Sequence, residues 1–120
     1  IGFIVAQDPD TVRAPDWSFT WLQEAQARIR GAWIEGGPNI AAEVVSPDDA
    51  WFEVQTKVDE YLAAGTALVW VIDPEMRTVH VFRPDAPMAV LRVDDSLDGS
   101  PVLPSFTLPV AELFPVKKLL

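Results

Sequence analysis

Cysteine is absent from this chain, and histidine and tyrosine occur only once each. Without thiols the protein forms no disulfides and no thiolate metal sites, and a single histidine would leave a zinc site built mostly from carboxylates. No run of about 18 apolar residues and no basic signal-peptide start is present, so neither a membrane span nor a signal peptide is predicted. We expect a soluble, cytoplasmic protein in which only hard-metal chemistry remains open.

Positive charge is also scarce. Nine Lys and Arg residues stand against eighteen Asp and Glu, which gives a formal net charge of −9. Broad electrostatic binding to nucleic acid is therefore disfavoured, because phosphate contacts need many basic side chains. A carboxylate-bound divalent cation would reverse the sign locally, so the charge does not exclude a nucleic-acid substrate.

The length of the chain fits a single domain. Its 120 residues are 49% hydrophobic, which is enough for one core and leaves little material for a second. The chain opens at Ile1 without a methionine and already inside an apolar run. We therefore expect one domain over residues 1–120 that lacks an N-terminal part.

Two extended segments are predicted at the start of the chain. Ile1 to Ala6 is typical of a buried strand, and the turn-rich residues that follow lead into a second extended stretch from Thr11 to Thr20, as in a hairpin. In that stretch Trp17 and Trp21 share one strand face, whereas Asp16 lies on the opposite, polar face.

A strand and a capped helix follow in the middle of the sequence. Ile40 to Val45 is a compact apolar run that predicts an interior strand with one carboxylate, Glu43, in its middle. Ser46 as N-cap and Pro47 at the first helical position then predict a helix that extends to about Ala64.

The predicted helix has one apolar stripe. Its members recur at helical spacing; they are Val54, Val58, Tyr61 and Leu62. Lys57 lies on the edge of this stripe, so it need not face bulk water, and Gly65 stands where a helix-ending glycine is expected.

Further elements are predicted on both sides of this helix. Leu22 to Trp33 has the spacing of a short helix. Leu68 to Ile72 and Thr78 to Phe82 predict two strands of a hairpin, and Ala89 to Val93 a last strand, after which Asp94 to Gly99 is a turn. A short terminal helix is expected near Val110 to Phe114.

Three of these residues suit phosphodiester hydrolysis. Such a reaction needs a group that polarises the phosphoryl oxygen, a source of hydroxide, and positive charge for the developing oxyanion. Magnesium held by one or two carboxylates serves the first two needs, and a lysine the third. Asp16 and Glu43 on two strands, with Lys57 on the helix that follows, permit such a site.

The same residues lie within a wider pattern of five segments. They are, in order, Arg13-Ala14-Pro15-Asp16, Ala42 to Pro47, Lys57 to Tyr61 with Gly65, Val69 to Pro74, and Val102 to Phe106 with Leu113-Phe114. Together, over nearly the whole chain, they resemble the Uma-type family of putative restriction endonucleases, in the PD-(D/E)XK nuclease superfamily.

The resemblance implies both a fold and a site. The fold would be a restriction-endonuclease-like α/β (mixed α+β) core, with a central mixed β-sheet flanked by helices. Asp16, Glu43 and the backbone carbonyl of Val44 would bind Mg²⁺, for which Mn²⁺ can substitute, in an enzyme that cuts DNA and acts as a homodimer. Lys57 would replace the superfamily lysine, whose usual position holds Val45 here.

Each of these residues also has an ordinary alternative. Asp16 can be a turn carboxylate after proline, Glu43 can form a structural ion pair with an arginine, and Lys57 can pair with Glu53 one helical turn away. His80 is expected to be a partly exposed structural histidine.

Two further functions also stay open. One is a catalytically idle module with the nuclease fold that binds protein or nucleic acid, which the acidic charge and Val45 favour. The other is a small acidic domain that contacts protein partners through its proline-rich C-terminal segment. The tryptophans are predicted to serve packing rather than base stacking.

Overall fold

The computed structural model describes residues 1–115. The strands in this range are β1 (Phe3–Ala6), β2 (Thr11–Arg13), β3 (Trp17–Phe19), β4 (Ile29–Arg30), β5 (Trp33–Glu35), β6 (Ile40–Val44), β7 (Leu68–Asp73), β8 (Thr78–Arg83), β9 (Ala86–Leu91), β10 (Ser96–Gly99) and β11 (Leu103–Pro109). The helices are α1 (Leu22–Ala27), α2 (Trp51–Ala63) and a 3-10 helix (Val110–Leu113). None of these helices is long and apolar enough to cross a membrane.

The central element is a five-stranded mixed sheet with strand order β3-β6-β7-β8-β9. Strands β6 and β7 are parallel, and α2 connects them, as a parallel pair requires a crossover. The other pairs in this sheet are antiparallel. A second sheet has the order β2-β1-β5-β4, and β10 pairs with β11 in a ribbon. The expected mixed α+β architecture is therefore present.

The five-stranded sheet has a separate core on each face. On one face α2 and strand β1 pack against β6 and β7 in a cluster of buried residues: Phe3, Val5, Ile34, Ala41, Val54, Val58, Tyr61, Val69, Val71 and Phe82. On the other face the β10–β11 ribbon and the 3-10 helix cover a second cluster: Ile40, Ala42, Leu68, Trp70, Val79, Val81, Leu97, Val102, Val110 and Phe114.

Helix α2 confirms its predicted stripe but begins later than predicted. Its buried residues are Val54, Val58 and Tyr61. The predictions of Ser46 as N-cap and Pro47 as first helical residue are wrong, because the helix begins at Trp51 with Ala50 in the N-cap position. Ser46 instead closes a separate turn: its N–H donates to Asp49 Oδ2 at 2.9 Å, and its carbonyl accepts from the Asp49 N–H.

The end of α2 is where the sequence placed it. Gly65 follows the helix with a φ of 99°. This backbone conformation is easy only for glycine, and it ends the helix as predicted.

The predicted N-terminal hairpin is only partly correct. Strand β2 does pair with β1, but β3 leaves that sheet and pairs with β6. The predicted helix over Leu22 to Trp33 is wrong beyond Ala27. There the chain turns at Gly31, which has a φ of 61°, and Ile29–Arg30 pairs with Trp33–Ile34.

The C-terminal elements also differ in detail from the prediction. The hairpin of β7 and β8 is confirmed, whereas β9 begins at Ala86 and ends before Val93. The predicted turn from Asp94 to Gly99 contains strand β10, because Ser96–Gly99 pairs with β11. The expected terminal helix is a 3-10 helix.

The sequence predicts a packing role for the tryptophans, and Trp70 is buried, but Trp17 and Trp21 are 47% and 46% exposed and so do not belong to the core. Trp17 lies on β3, which is at the edge of its sheet and has a neighbouring strand on one side only. Trp17 nevertheless stacks on Trp70, with ring centroids 6.0 Å apart.

Candidate active site

Asp16 and Glu43 are brought together by the pairing of β3 with β6. Trp17 lies directly opposite Ala42 in this antiparallel pair. Asp16 immediately precedes Trp17 and Glu43 follows Ala42, so the two acids occupy neighbouring positions, and both side chains line the same pocket. The N–H of Val44 donates a 2.7 Å hydrogen bond to Asp16 Oδ2. Asp16 is thereby fixed to the strand that carries Glu43.

Glu43 is a buried carboxylate, only 8% exposed. It lies on the face of β6 that α2 covers, and its Oε1 accepts a 3.0 Å hydrogen bond from the Tyr61 hydroxyl. Burial raises the pKa of Glu43, and the nearby Asp16 raises it further, whereas the Tyr61 hydrogen bond and the charge of Lys57 lower it. The two acids are therefore close enough to repel each other.

The alternative of an ion pair between Glu43 and an arginine is not supported. Arg13 instead pairs with Glu60, through Nη2 to Oε1 at 2.7 Å and Nε to Oε2 at 3.2 Å. Within residues 1–115, Glu43 has no basic partner at salt-bridge distance. Its negative charge is thus buried without a direct counter-ion in that range.

Lys57 extends from α2 towards the two acids. It is half-buried, and its charge lowers the pKa of Glu43. The alternative surface ion pair with Glu53 does not form in the described part of the chain. Both side chains instead line the pocket that contains Asp16.

That pocket has a volume of about 210 Å³. It is lined by residues just before β3, by the end of β6 and the loop that follows it, and by α2: Ala14, Asp16, Glu43, Val44, Val45, Asp49, Glu53, Val54 and Lys57. The structure therefore brings all four sequence-predicted site residues, Asp16, Glu43, Val44 and Lys57, to one place. In an extended strand the N–H and C=O of a residue point to the same edge. The carbonyl of Val44 thus points towards Asp16, like its N–H.

Three neighbours of the pocket were not assigned to the site from the sequence. They are Asp49, Glu53, which the sequence offered only as a surface partner of Lys57, and Tyr61, which it placed in the apolar stripe of the helix. Glu53, Lys57 and Tyr61 are spaced by four, which places them along one side of the helix. That spacing was the signal available for Glu53 and Tyr61.

The residues of the pocket fit a hard divalent cation. Mg²⁺ is commonly bound by one or two carboxylates and keeps several of its waters. Asp16 and Glu43 supply two carboxylates, and a cation would compensate the buried charge of Glu43. No group of three or more acidic or histidine side chains suited to a metal occurs among residues 1–115, so a site here would depend on these two and on backbone oxygen.

His80 lies away from the pocket, on β8. It is half-buried, and its ring is 5.3 Å from that of Trp51, with a tilt of 57°. Burial lowers the pKa of His80. The position agrees with the partly exposed histidine that the sequence predicts.

Comparison with solved structures supports the nuclease-like fold. A crystal structure described as a putative nuclease belonging to DUF820 from Anabaena variabilis superposes with a TM-score of 0.76 at 27% sequence identity. The match covers 88% of this chain and 62% of that chain, so this chain spans less than two thirds of its length. None of the curated proteins matches the chain.

Comparison with protein families gives a match over most of the sequence. The family described as Uma2, putative restriction endonuclease, matches residues 2–111. This range contains the pocket and all the strands of the five-stranded sheet. The chain therefore belongs to the Uma2 family of putative restriction endonucleases.

Proposed function

We propose that the protein is a metal-dependent endonuclease that hydrolyses phosphodiester bonds in DNA. The observation that carries this proposal is the meeting of Asp16, Glu43 and Lys57, from three separate parts of the chain, around one pocket of about 210 Å³. Two acids and a lysine at one pocket match the needs of phosphodiester hydrolysis.

In this proposal Asp16 and Glu43 hold Mg²⁺, and the carbonyl of Val44 completes the protein ligands. Mn²⁺ can take the same place, because it prefers the same oxygen ligands. When bound, the cation supplies Lewis-acid polarisation of a phosphoryl oxygen and a lowered pKa for bound water. The hydrogen bond from Val44 to Asp16 keeps one acid oriented before the cation arrives.

Lys57 is proposed to stabilise the negative charge that develops on the attacked phosphate. Its positive charge lowers the pKa of Glu43, and both side chains line the same pocket. These two observations support a position of the Lys57 ammonium group beside the scissile bond. The position two residues after Glu43 holds Val45, so the strand offers no lysine for this role. Lys57 supplies the charge from the helix instead.

The choice of DNA as substrate rests on the family. Its description as a restriction endonuclease and the nuclease-like fold support a nucleic-acid substrate. The net charge of −9 means that binding would depend on the cation and on local basic residues rather than on the overall field. A homodimer would present two pockets, one for each DNA strand.

Plasmid cleavage tests the proposal. The purified protein should convert supercoiled plasmid to nicked and linear forms with Mg²⁺ or Mn²⁺, and EDTA should stop the reaction. Glu43→Ala should abolish cutting, whereas Glu112→Ala, which removes an exposed acid outside the pocket, should leave it unchanged. Cutting that survives Glu43→Ala would refute the assignment.

A second candidate is a catalytically idle module that keeps the nuclease fold and binds protein or nucleic acid. Val45 in the place of the superfamily lysine and the acidic charge favour it. Calorimetric titration with Mn²⁺ separates the two candidates. An active site should give a binding heat that Glu43→Ala removes, and an idle module should give none that depends on a carboxylate.

A further inference from the structure

Tyr61 is fully buried, and it is the only tyrosine in the chain. Its ring belongs to the core cluster between α2 and the five-stranded sheet, where Val58 and Val71 are also fully buried. Its hydroxyl, however, reaches Glu43 Oε1 at 3.0 Å. The ring is held by packing while the polar end touches the acid of the pocket.

The backbone around Tyr61 is fixed as well. The preceding residue, Glu60, is bound at two points by Arg13, which lies just before the segment that carries Asp16. Lys57 is one helical turn before Tyr61 and lines the pocket. Helix α2 therefore carries both Lys57, which lines the pocket, and Tyr61, whose hydroxyl contacts Glu43. The helix is bound to β2 through the Arg13–Glu60 ion pair and to β6 through the Tyr61–Glu43 hydrogen bond.

A carboxylate that binds a cation through one oxygen must keep the other in a fixed place, or its plane rotates. Hydrogen bonds from neighbouring groups to ligating side chains supply this restraint, and their loss typically weakens metal binding by roughly 10- to 100-fold. Tyrosine suits a buried position of this kind, since it combines a packed ring with a single rotatable donor.

We propose that Tyr61 is a positioning residue for the metal-binding carboxylate of Glu43, whose Oε1 it holds so that Oε2 faces the cation. This inference rests on the proposed function, because it assumes that Glu43 binds a metal. It adds a role for a core residue that touches neither the substrate nor the cation.

The first test compares Tyr61→Phe with Val58→Ala by calorimetric titration with Mn²⁺. Tyr61→Phe removes one hydroxyl and keeps the ring, and its dissociation constant for Mn²⁺ should rise about tenfold or more. Val58→Ala leaves a cavity in the same helix and core, so it should lower the melting temperature without changing Mn²⁺ affinity. In cleavage assays Tyr61→Phe should need more Mn²⁺ for half-maximal rate, and saturating Mn²⁺ should largely restore turnover.

The second test leaves the protein unmutated and stays informative if Tyr61→Phe does not fold. With ¹³Cζ-labelled tyrosine the protein gives a single resonance, because only one tyrosine is present. Titration with Mg²⁺ should shift this resonance and saturate with the dissociation constant found by calorimetry for Mg²⁺. A resonance that does not move while Mg²⁺ binds would overturn the positioning role.

The outcomes separate the two proposals. If the unmutated protein binds Mn²⁺ and Tyr61→Phe binds it equally tightly, the role of Tyr61 is refuted and the proposed function stands. If the unmutated protein binds no Mn²⁺ and no Mg²⁺, the metal site itself is refuted, and the role of Tyr61 with it. If Tyr61→Phe binds Mn²⁺ more weakly and Val58→Ala binds it as tightly as the unmutated protein, the metal site and the positioning role of Tyr61 are both supported.

Discussion

Asp16 is fixed to the strand of Glu43 through the backbone, because the Val44 N–H donates a 2.7 Å hydrogen bond to Asp16 Oδ2. Asp16 itself lies outside any strand and is exposed, so without this bond its side chain would sample several rotamers. The bond occupies one carboxylate oxygen and leaves the other for the pocket. The exposed Asp16 is thereby held next to the buried Glu43.

Asp16→Asn should separate two roles of this side chain: its hydrogen bond with the Val44 N–H and its negative charge. Asparagine also accepts a hydrogen bond from the Val44 N–H, so the melting temperature should change little. The lost charge should weaken Mn²⁺ binding by more than the roughly 10- to 100-fold that follows loss of an outer hydrogen-bond partner. Calorimetry with Asp59→Asn, an exposed acid of α2, is the control. Unchanged Mn²⁺ affinity in Asp16→Asn would contradict its role as a ligand.

Lys57→Met should reduce DNA cleavage by about 100- to 1,000-fold, as the loss of a charge-stabilising donor does in other active sites. Methionine keeps the apolar stem, and Lys57 forms no ion pair at salt-bridge distance among residues 1–115. Its charge does lower the pKa of Glu43, so stability near neutral pH should fall by about 1 kcal/mol or less. Urea denaturation and plasmid cleavage measure the two effects. If Lys57 served only a surface pair, Lys57→Met and Glu53→Gln would lower stability alike, and both would still cut DNA.

The parts of the site that could be predicted from the sequence are those governed by local pattern. Glu43 was recognised because an acid inside an apolar strand is costly unless something compensates it. The buried face of α2 followed from helical spacing, and Lys57 was placed at its edge. Asp16 was assigned to the polar face of an extended stretch by alternation. It lies just before β3, and its side chain lines the pocket together with Glu43.

What could not be predicted depends on contacts between distant segments. The stretch from Thr11 to Thr20 is divided between two sheets, and no local signal shows where a strand changes its partner. The helix expected after Leu22 is cut short by the pairing of β4 with β5, which replaces its later turns. The bond between Tyr61 and Glu43 joins a helix to a strand, so spacing along the chain could not reveal it.

The ion pair of Arg13 with Glu60 should contribute measurably to stability. It is bidentate, and the two side chains are only 33% and 19% exposed, so it is better shielded than a typical surface pair. A double-mutant cycle with Arg13→Gln and Glu60→Gln should give a coupling energy of about 1 kcal/mol, at the upper end for exposed pairs. The same cycle on Arg30 and Asp10, a more exposed pair, should give less. Equal coupling in both cycles would contradict the effect of burial.

Glu43→Gln should stabilise the metal-free protein near neutral pH. The native state buries this carboxylate without a direct basic partner among residues 1–115, and burial raises its pKa. Glutamine still accepts the Tyr61 hydrogen bond but carries no charge to desolvate. A gain of about 1 kcal/mol would raise the melting temperature by roughly 4–8 °C in a domain of this size.

The same variant should lose Mn²⁺ binding, as expected where a functional charge is kept at the expense of stability. Differential scanning calorimetry in EDTA measures the stability, and titration measures the binding. Glu112→Gln, at an exposed position outside the pocket, is the control and should change neither. A lower melting temperature for Glu43→Gln would show that the buried charge is already compensated in the metal-free protein.

His80 should make the protein less stable in weak acid. Burial lowers its pKa from the ordinary 6.5, so the folded state binds the proton less tightly than the unfolded state does. Its contribution to stability is therefore complete above the unfolded pKa and is lost as the pH falls through the unfolded and then the folded value. Between about pH 7.5 and about pH 5, the unmutated protein should lose more unfolding free energy than His80→Phe, in which an aromatic ring still faces Trp51. Because His80 is the only histidine in the chain, one imidazole signal in a proton NMR titration reports its pKa directly, and a value at or above 6.5 would contradict the effect of burial.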